Sequence, residues 1–176
     1  MKTCLVGCGG IAAVHGSVLT SGIDTEFVAA ADIKPEKAQT YAENFHTKPY
    51  PSLESMLDAE KPDVLHICTP HYLHVPMTIY ALERNINVFM EKPPAISFDQ
   101  LEELKKAAAK SEAQLGFCYQ NRYNASIRAA KDLIDSGKAG KVLGARAFVT
   151  WCRGAAYYTE SGWRGSLKTE GGGVLI

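Results

Sequence analysis

Short apolar stretches recur along the first two-thirds of the chain: Cys4-Leu5-Val6, Glu26–Ala31, Val64–Cys68, Asn87–Met90 and Gln114–Tyr119. Each has the length of a buried strand. Between them, apolar residues follow helical spacing. Pro35 fits a first turn leading through Ala38, Tyr41 and Ala42 towards Phe45, and Ser52 caps Leu53, Met56 and Leu57. A third helix runs through Thr78 and Leu82 to Arg84. Ser97 and Gln100 form a capping box ahead of Leu101, Leu104 and Ala108. Lys48-Pro49-Tyr50 suffices only for a short edge strand. Strands alternating with helices predict an α/β fold, a doubly wound parallel sheet with crossover helices, over residues 1–121.

Beyond Asn121 the pattern changes. Asn124 can cap a helix with Ile127, Ala130, Leu133 and Ile134 facing inward, stopped by Gly137. Val142 to Trp151 then alternates as one long strand, followed by an aromatic and glycine-rich loop from Tyr157 to Gly165. One helix and one strand cannot bury their apolar faces alone. Residues 122–176 therefore predict the start of an incomplete α+β second domain, with self-association through the exposed strand edge.

The first strand ends in Gly7-Cys8-Gly9-Gly10-Ile11-Ala12, with Gly7, Gly9 and Ala12 in the spacing G-x-G-x-x-A. A strand passing through such a turn into a helix is the dinucleotide-binding fingerprint of a Rossmann-type fold. The first glycine permits the turn, the second lets backbone approach a pyrophosphate, and the third small residue lets helix and strand pack. The helix N-terminus offers unpaired N–H groups to the phosphates. The second strand ends in Asp32, about 20 residues on, where the fold places its ribose-binding acid. That carboxylate favours NAD and repels a 2′-phosphate, although Lys34 leaves NADP open.

Ligands of open parallel sheets bind outside the carboxyl ends of the strands, which brings Thr69-Pro70 through His74, and Glu91-Lys92-Pro93, towards the glycine loop. Lys92 is the catalytic candidate: a lysine beside a nicotinamide can hydrogen-bond a substrate hydroxyl and favour its alkoxide-like form. Pro93 and Pro94 make a rigid turn in which a cis bond is feasible. His71 and His74 suggest cofactor contact or helix packing rather than metal chemistry. His15 reads as packing or a phosphate neighbour, and His46 and His66 suggest no role. Trp163-Arg164 can cover a nicotinamide, grip a polar substrate or simply pack.

Charge narrows the partners. With 19 basic and 19 acidic residues, nothing points to nucleic acid or an anionic membrane. No apolar run reaches the ~18 residues of a membrane span, and the apolar start reads as a strand rather than a leader. Five cysteines without framework spacing suggest reduced thiols in a cytoplasmic protein. Cys4 and Cys8 form no Cys-x-x-Cys pair, and no metal is expected.

The chain resembles the Gfo/Idh/MocA oxidoreductases, the family of glucose–fructose oxidoreductase and inositol dehydrogenase. The resemblance rests on Gly7 to Ala12, Ala31-Asp32, Thr69 to His74 and above all Glu91-Lys92-Pro93. Asn121-Arg122-Tyr123, Ser136-Gly137-Lys138 with Gly140-Lys141-Val142, and Trp163-Arg164 with Gly171-Gly172-Gly173 extend it along the chain. It implies that Lys92 is the active-site lysine and that Ile33, Glu91, Trp163 and Arg164 lie near the cofactor. It also implies a helix after the triple glycine that supplies further site residues, typically a histidine, and a large open sheet beyond. The sequence stops at Ile176, before that helix. The expected activity is hydride transfer between NAD, or NADP, and a carbinol carbon of a sugar, sugar nucleotide or cyclitol, by a homo-oligomer of which this is an N-terminal portion. A dinucleotide-binding module without catalysis and an inactive remnant are the alternatives.

Overall fold

The structure, a computed structural model, describes residues 1–22 and 24–172. Gly173, the end of the triple glycine, and the residues after it lie outside the described residues. Two compact units are present: Met1–Cys118 with the segment from Gly165 onward, and Tyr119–Arg164.

The first unit holds six parallel strands: β1 (Lys2–Val6), β2 (Glu26–Ala31), β3 (Lys48–Tyr50), β4 (Val64–Ile67), β5 (Asn87–Glu91) and β6 (Leu115–Cys118). Their order is β3-β2-β1-β4-β5-β6, so the topology reverses direction between β1 and β4. The crossovers carry helices α1 (Gly10–Leu19), α2 (Pro35–Phe45), α3 (Leu53–Glu60), α4 (His74–Leu82) and α5 (Phe98–Lys110). The strand periodicity of two sorts side chains to two faces. Cys4, Val6, Ala29, Ala31, Leu65, Ile67, Val88 and Met90 form the larger core with residues of α3, α4 and α5. Leu5, Ala30 and Cys68 face the other way, towards Ala12 of α1 and Tyr41 of α2.

Local signals behave as their chemistry requires. Pro35 opens α2, and the Ser52 hydroxyl accepts from the Ser55 N–H at 3.1 Å. Ser97 accepts from the Gln100 N–H at 3.2 Å, while the Gln100 carbonyl reaches past the cap to the Ile96 N–H at 3.1 Å. His46 closes α2 with φ 54°, a left-handed role in which histidine is enriched.

The second unit departs from expectation. Helix α6 (Ala125–Asp135) forms and Gly137 follows it with φ 73°, but Ile127, Leu133 and Ile134 are about half exposed rather than inward. Residues 142–151 contain no strand. Alternation makes a segment fit for a sheet, but a strand exists only with a ladder partner, and none of the described residues supplies one. A short helix, α7 (Ala155–Thr159), runs into the start of the expected loop.

A charged cluster ties β1, β3 and α3 together. The buried Glu60 carboxylate receives the Tyr50 hydroxyl at 2.6 Å, Lys48 Nζ at 2.9 Å and Lys2 Nζ at 3.0 Å. Hydrogen bonds from Tyr50, Lys48 and Lys2 hold its carboxyl down at about 2, from an ordinary 4.5. A depressed carboxyl contributes stability above its unfolded value and loses it as the folded group is protonated. Glu60→Gln is therefore expected to cost about 2 kcal/mol at neutral pH, with the difference from wild type shrinking as the pH falls from 4.5 towards 2. Urea unfolding across that range measures it.

Candidate functional site

The carboxyl ends of β1, β4 and β5 meet where the strand order reverses. Gly7 ends β1 with φ 92°, and a Cβ there would lie 2.7 Å from the Cys68 carbonyl carbon and the Thr69 nitrogen. Its N–H donates to Ala31 O at 2.8 Å. Gly7 is glycine because the chain itself leaves no alternative. Gly9 and Gly10 are different, since a Cβ on either would meet nothing within 4 Å. Internal packing does not demand their smallness. A ligand approaching the backbone would. Gly9 is the N-cap of α1, and no side chain caps it. Ile11 is partly exposed, while Ala12 is fully buried and its carbonyl accepts from the Tyr41 hydroxyl at 2.8 Å.

Asp32 stands at the end of β2 with its carboxylate oriented by backbone. Oδ2 accepts from the Cys8 N–H at 2.9 Å and Oδ1 from the Lys34 N–H at 2.8 Å. The acid is thus fixed against the glycine loop, beside the exposed Ile33.

Past β4, Thr69 Oγ1 is buried without a hydrogen-bond partner among the described residues, which leaves a hydroxyl for a ligand. Pro70 leads into a single 3₁₀ turn, His71–Leu73. His71 Nδ1 lies 2.8 Å from Glu170 O, and the Tyr72 N–H donates to Thr169 O at 3.2 Å, so the segment around residue 170 is tied to this turn. Burial pushes the His71 pKa down. His74 is wholly buried, with Nδ1 2.8 Å from Pro93 O and Nε2 2.9 Å from Thr69 O.

Lys92 follows β5 and precedes a cis peptide bond to Pro93. The Lys92 N–H donates to Glu91 Oε2 at 3.2 Å, and His15 Nε2 lies 3.0 Å from Glu91 Oε1. Burial pushes the Glu91 carboxyl up, but hydrogen bonds from His15 and Cys118 outweigh it and leave it below the usual range. Glu91 is therefore an acceptor, and His15 Nε2 carries a proton. His15 Nδ1 lies 2.9 Å from His66 Nδ1. Burial and the neighbouring His15 bring His66 down to about 4, so it is neutral near pH 7. One Nδ1 of the pair donates to the lone pair of the other. Strand alternation builds this line: His66, Phe89 and Glu91 point opposite to Leu65, Ile67, Val88 and Met90, and the two histidines and Phe89 pack ring against ring 5.2 to 6.0 Å apart.

Sequence spacing gave no hint of this network, since its members are separated by tens of residues. Only the α1 position of His15 and the odd polar residue in β4 point towards it. His15, Glu91 and Cys118 also place possible ligand atoms within 4.8 Å of one another, a grouping that hydrogen bonding accounts for. In the other unit, the Arg164 guanidinium stacks on Tyr157 at 4.2 Å and on Trp163 at 4.3 Å.

The strand order, the glycine loop at the switch point and the acid ending β2 define a dinucleotide-binding α/β protein. The family described as an oxidoreductase family with an NAD-binding Rossmann fold, Gfo/Idh/MocA, matches residues 1–119, and the chain belongs to it. It is 29% identical over 180 residues to D-glucoside 3-dehydrogenase from Escherichia coli, covering all of this chain and 50% of that protein. The WlbA dehydrogenase from Bordetella pertussis, solved in complex with NADH and UDP-GlcNAcA, is 30% identical with a TM-score of 0.87, over 96% of this chain and 52% of that one. The myo-inositol 2-dehydrogenase of Lactobacillus plantarum is 28% identical with a TM-score of 0.76, over 81% and 43%. The chain spans about half the length of these relatives.

The two glycines make separable predictions. Gly7→Ala combines a disfavoured φ with a backbone clash and is expected to cost about 2–5 kcal/mol. Gly9→Ala, which replaces a glycine N-cap by a poorer one without a clash, should cost no more than about 1 kcal/mol while weakening dinucleotide binding about tenfold or more. Urea unfolding and cofactor titration of both variants check this.

Proposed function

We propose that the whole protein to which this chain contributes is an NAD-dependent oxidoreductase acting on a carbinol carbon of a sugar, sugar nucleotide or cyclitol. The observation that carries the reading is the convergence, at one switch point, of an open glycine loop, an unpartnered Thr69 hydroxyl and the Glu91–Lys92 strand end. Gly7 to Ala12 would hold the pyrophosphate, Asp32 and Ile33 the adenosine ribose, and Thr69 to His74 with Glu91 the nicotinamide side. When bound, the nicotinamide supplies the hydride acceptor or donor. Lys92 donates a hydrogen bond from Nζ to the reacting oxygen and favours its alkoxide-like form. Glu91, anchored by His15, fixes the backbone from which Lys92 projects. Asp32 favours NAD over NADP. Trp163-Arg164, already a stacked pair, presents a planar cationic surface suited to a polar substrate or the cofactor.

The domain reading that accompanies this is a nucleotide-binding domain over 1–121 and the start of a substrate and oligomerisation domain over 122–176. A homo-oligomer is supported by the exposed apolar residues of the second unit. A cytoplasmic location without nucleic-acid or membrane partners is supported by the balanced charge and by five cysteines, none of them in a disulfide among the described residues. No helix among the described residues is long and apolar enough to cross a membrane. A second reading is a dinucleotide-binding module without catalysis of its own.

Lys92→Ala is expected to leave NAD affinity within about threefold and to lower turnover by about 10³ or more. The check is NADH appearance with a panel of sugars, sugar nucleotides and inositols. Retained turnover in the variant removes Lys92 from the chemistry, and NAD binding without turnover of any substrate by wild type supports the module.

A further inference from the structure

His74 stands between two backbone carbonyls, Pro93 O at 2.8 Å from Nδ1 and Thr69 O at 2.9 Å from Nε2. A carbonyl oxygen only accepts, and a neutral imidazole has a single N–H. A neutral ring here satisfies one carbonyl and sets its lone pair against the other inside the core, where an unmet polar contact is costly. Turning the ring over would set carbon against both oxygens and lose both bonds. Only the imidazolium satisfies both partners. His15 contrasts with this, because one of its partners, His66, can donate and a neutral ring suffices there.

The two carbonyls belong to the two rims of the crevice. Thr69 lies directly after β4, its N–H in the backbone against which Gly7 packs, and Pro93 is joined to Lys92 through the cis bond. We propose that His74 is a positioning residue that fastens the Thr69–Pro70 rim to the Lys92–Pro93 turn, and that the fastening is complete only when both of its ring nitrogens are protonated. The significance for catalysis rests on the reading of Lys92 given above.

The charged and titratable groups facing the ring pull in both directions. Glu91 at the end of β5 favours the added proton, whereas Lys92 beside it opposes it; the titratable His71 also faces the ring, its centroid 5.6 Å away on the preceding turn. Burial outweighs the two carbonyl hydrogen bonds and Glu91, so the pKa is lowered. The sign follows from that direction. At low pH the ring donates to both rims, and as the pH rises through the lowered pKa one bond is lost.

The test is nitrogen-detected NMR of the full 176-residue chain labelled at histidine, from roughly pH 4 to pH 8. Two protonated ring nitrogens on His74 at the acid end are expected, with the Thr69 and Lys92 amide signals moving together as one proton leaves. Double protonation persisting to pH 8 would contradict the loss of one bond as the pH rises. A single neutral tautomer at every pH overturns the bridge, as does a titration that neither rim follows. His74→Phe keeps a buried ring without donors, and in it the joint movement of Thr69 and Lys92 should vanish; its persistence overturns the proposal. If that variant does not fold, the wild-type spectra decide alone. NAD titrated across the same range should weaken by about tenfold at most as the bond is lost. Failure of NAD to bind at all would count against the oxidoreductase reading and leave the NMR result intact.

Discussion

The site depends on one close approach. At the end of β1 the chain turns through Gly7, whose missing side chain lets the first turn lie directly on the Cys68–Thr69 backbone after β4. β1 and β4 are neighbours where the strand order reverses, so crossovers leave in opposite directions on either side and open a crevice. Everything placed around it takes its position from that contact. α1 leaves the glycine loop with its N-terminus towards the crevice, Asp32 is fixed through the Cys8 N–H, and the Thr69 hydroxyl lies buried beside them without a hydrogen-bond partner among the described residues.

Around this contact the sheet separates two kinds of interior. One face is almost wholly apolar and supplies the larger core, with the helix residues from Leu53 to Leu104. The other begins apolar, with Leu5, Ala30 and Tyr41, but turns polar towards β4 and β5. There His15, His66 and Glu91 form a line of hydrogen bonds ending at the Lys92 backbone. A buried carboxylate is tolerated when its lone pairs are occupied, and Glu91 meets that condition. Lys92 is thus held by a rigid strand end and its buried supports rather than by a mobile loop.

Much of this was legible before any coordinates. The strand at Glu26–Ala31, the helix opened by Pro35, the caps at Ser52 and Ser97 and the short edge strand at Lys48–Tyr50 all follow from local chemistry, and each forms where the pattern puts it. The glycine spacing with Asp32 located the crevice. The His15–Glu91–Cys118 grouping and the His74 bridge were not legible, because they depend on which strands lie side by side, and sequence spacing carries no such information. Val142–Trp151 misleads for a related reason. Its alternation is genuine, but pairing needs a neighbour, and none stands among the described residues. The inward face expected for α6 fails likewise, since an amphipathic stripe says that a partner is needed and not that one is present.

In the function we propose, this chain carries an adenine-dinucleotide cradle in which Asp32 reads the ribose. Calorimetric titration with NAD and, separately, NADP tests it most directly, in wild type and in Asp32→Ala. Saturable NAD binding by wild type is expected, with NADP binding weaker by about tenfold or more and a much smaller gap in the variant. Equal affinity for the two in wild type, or no binding of either by the folded chain, would contradict it.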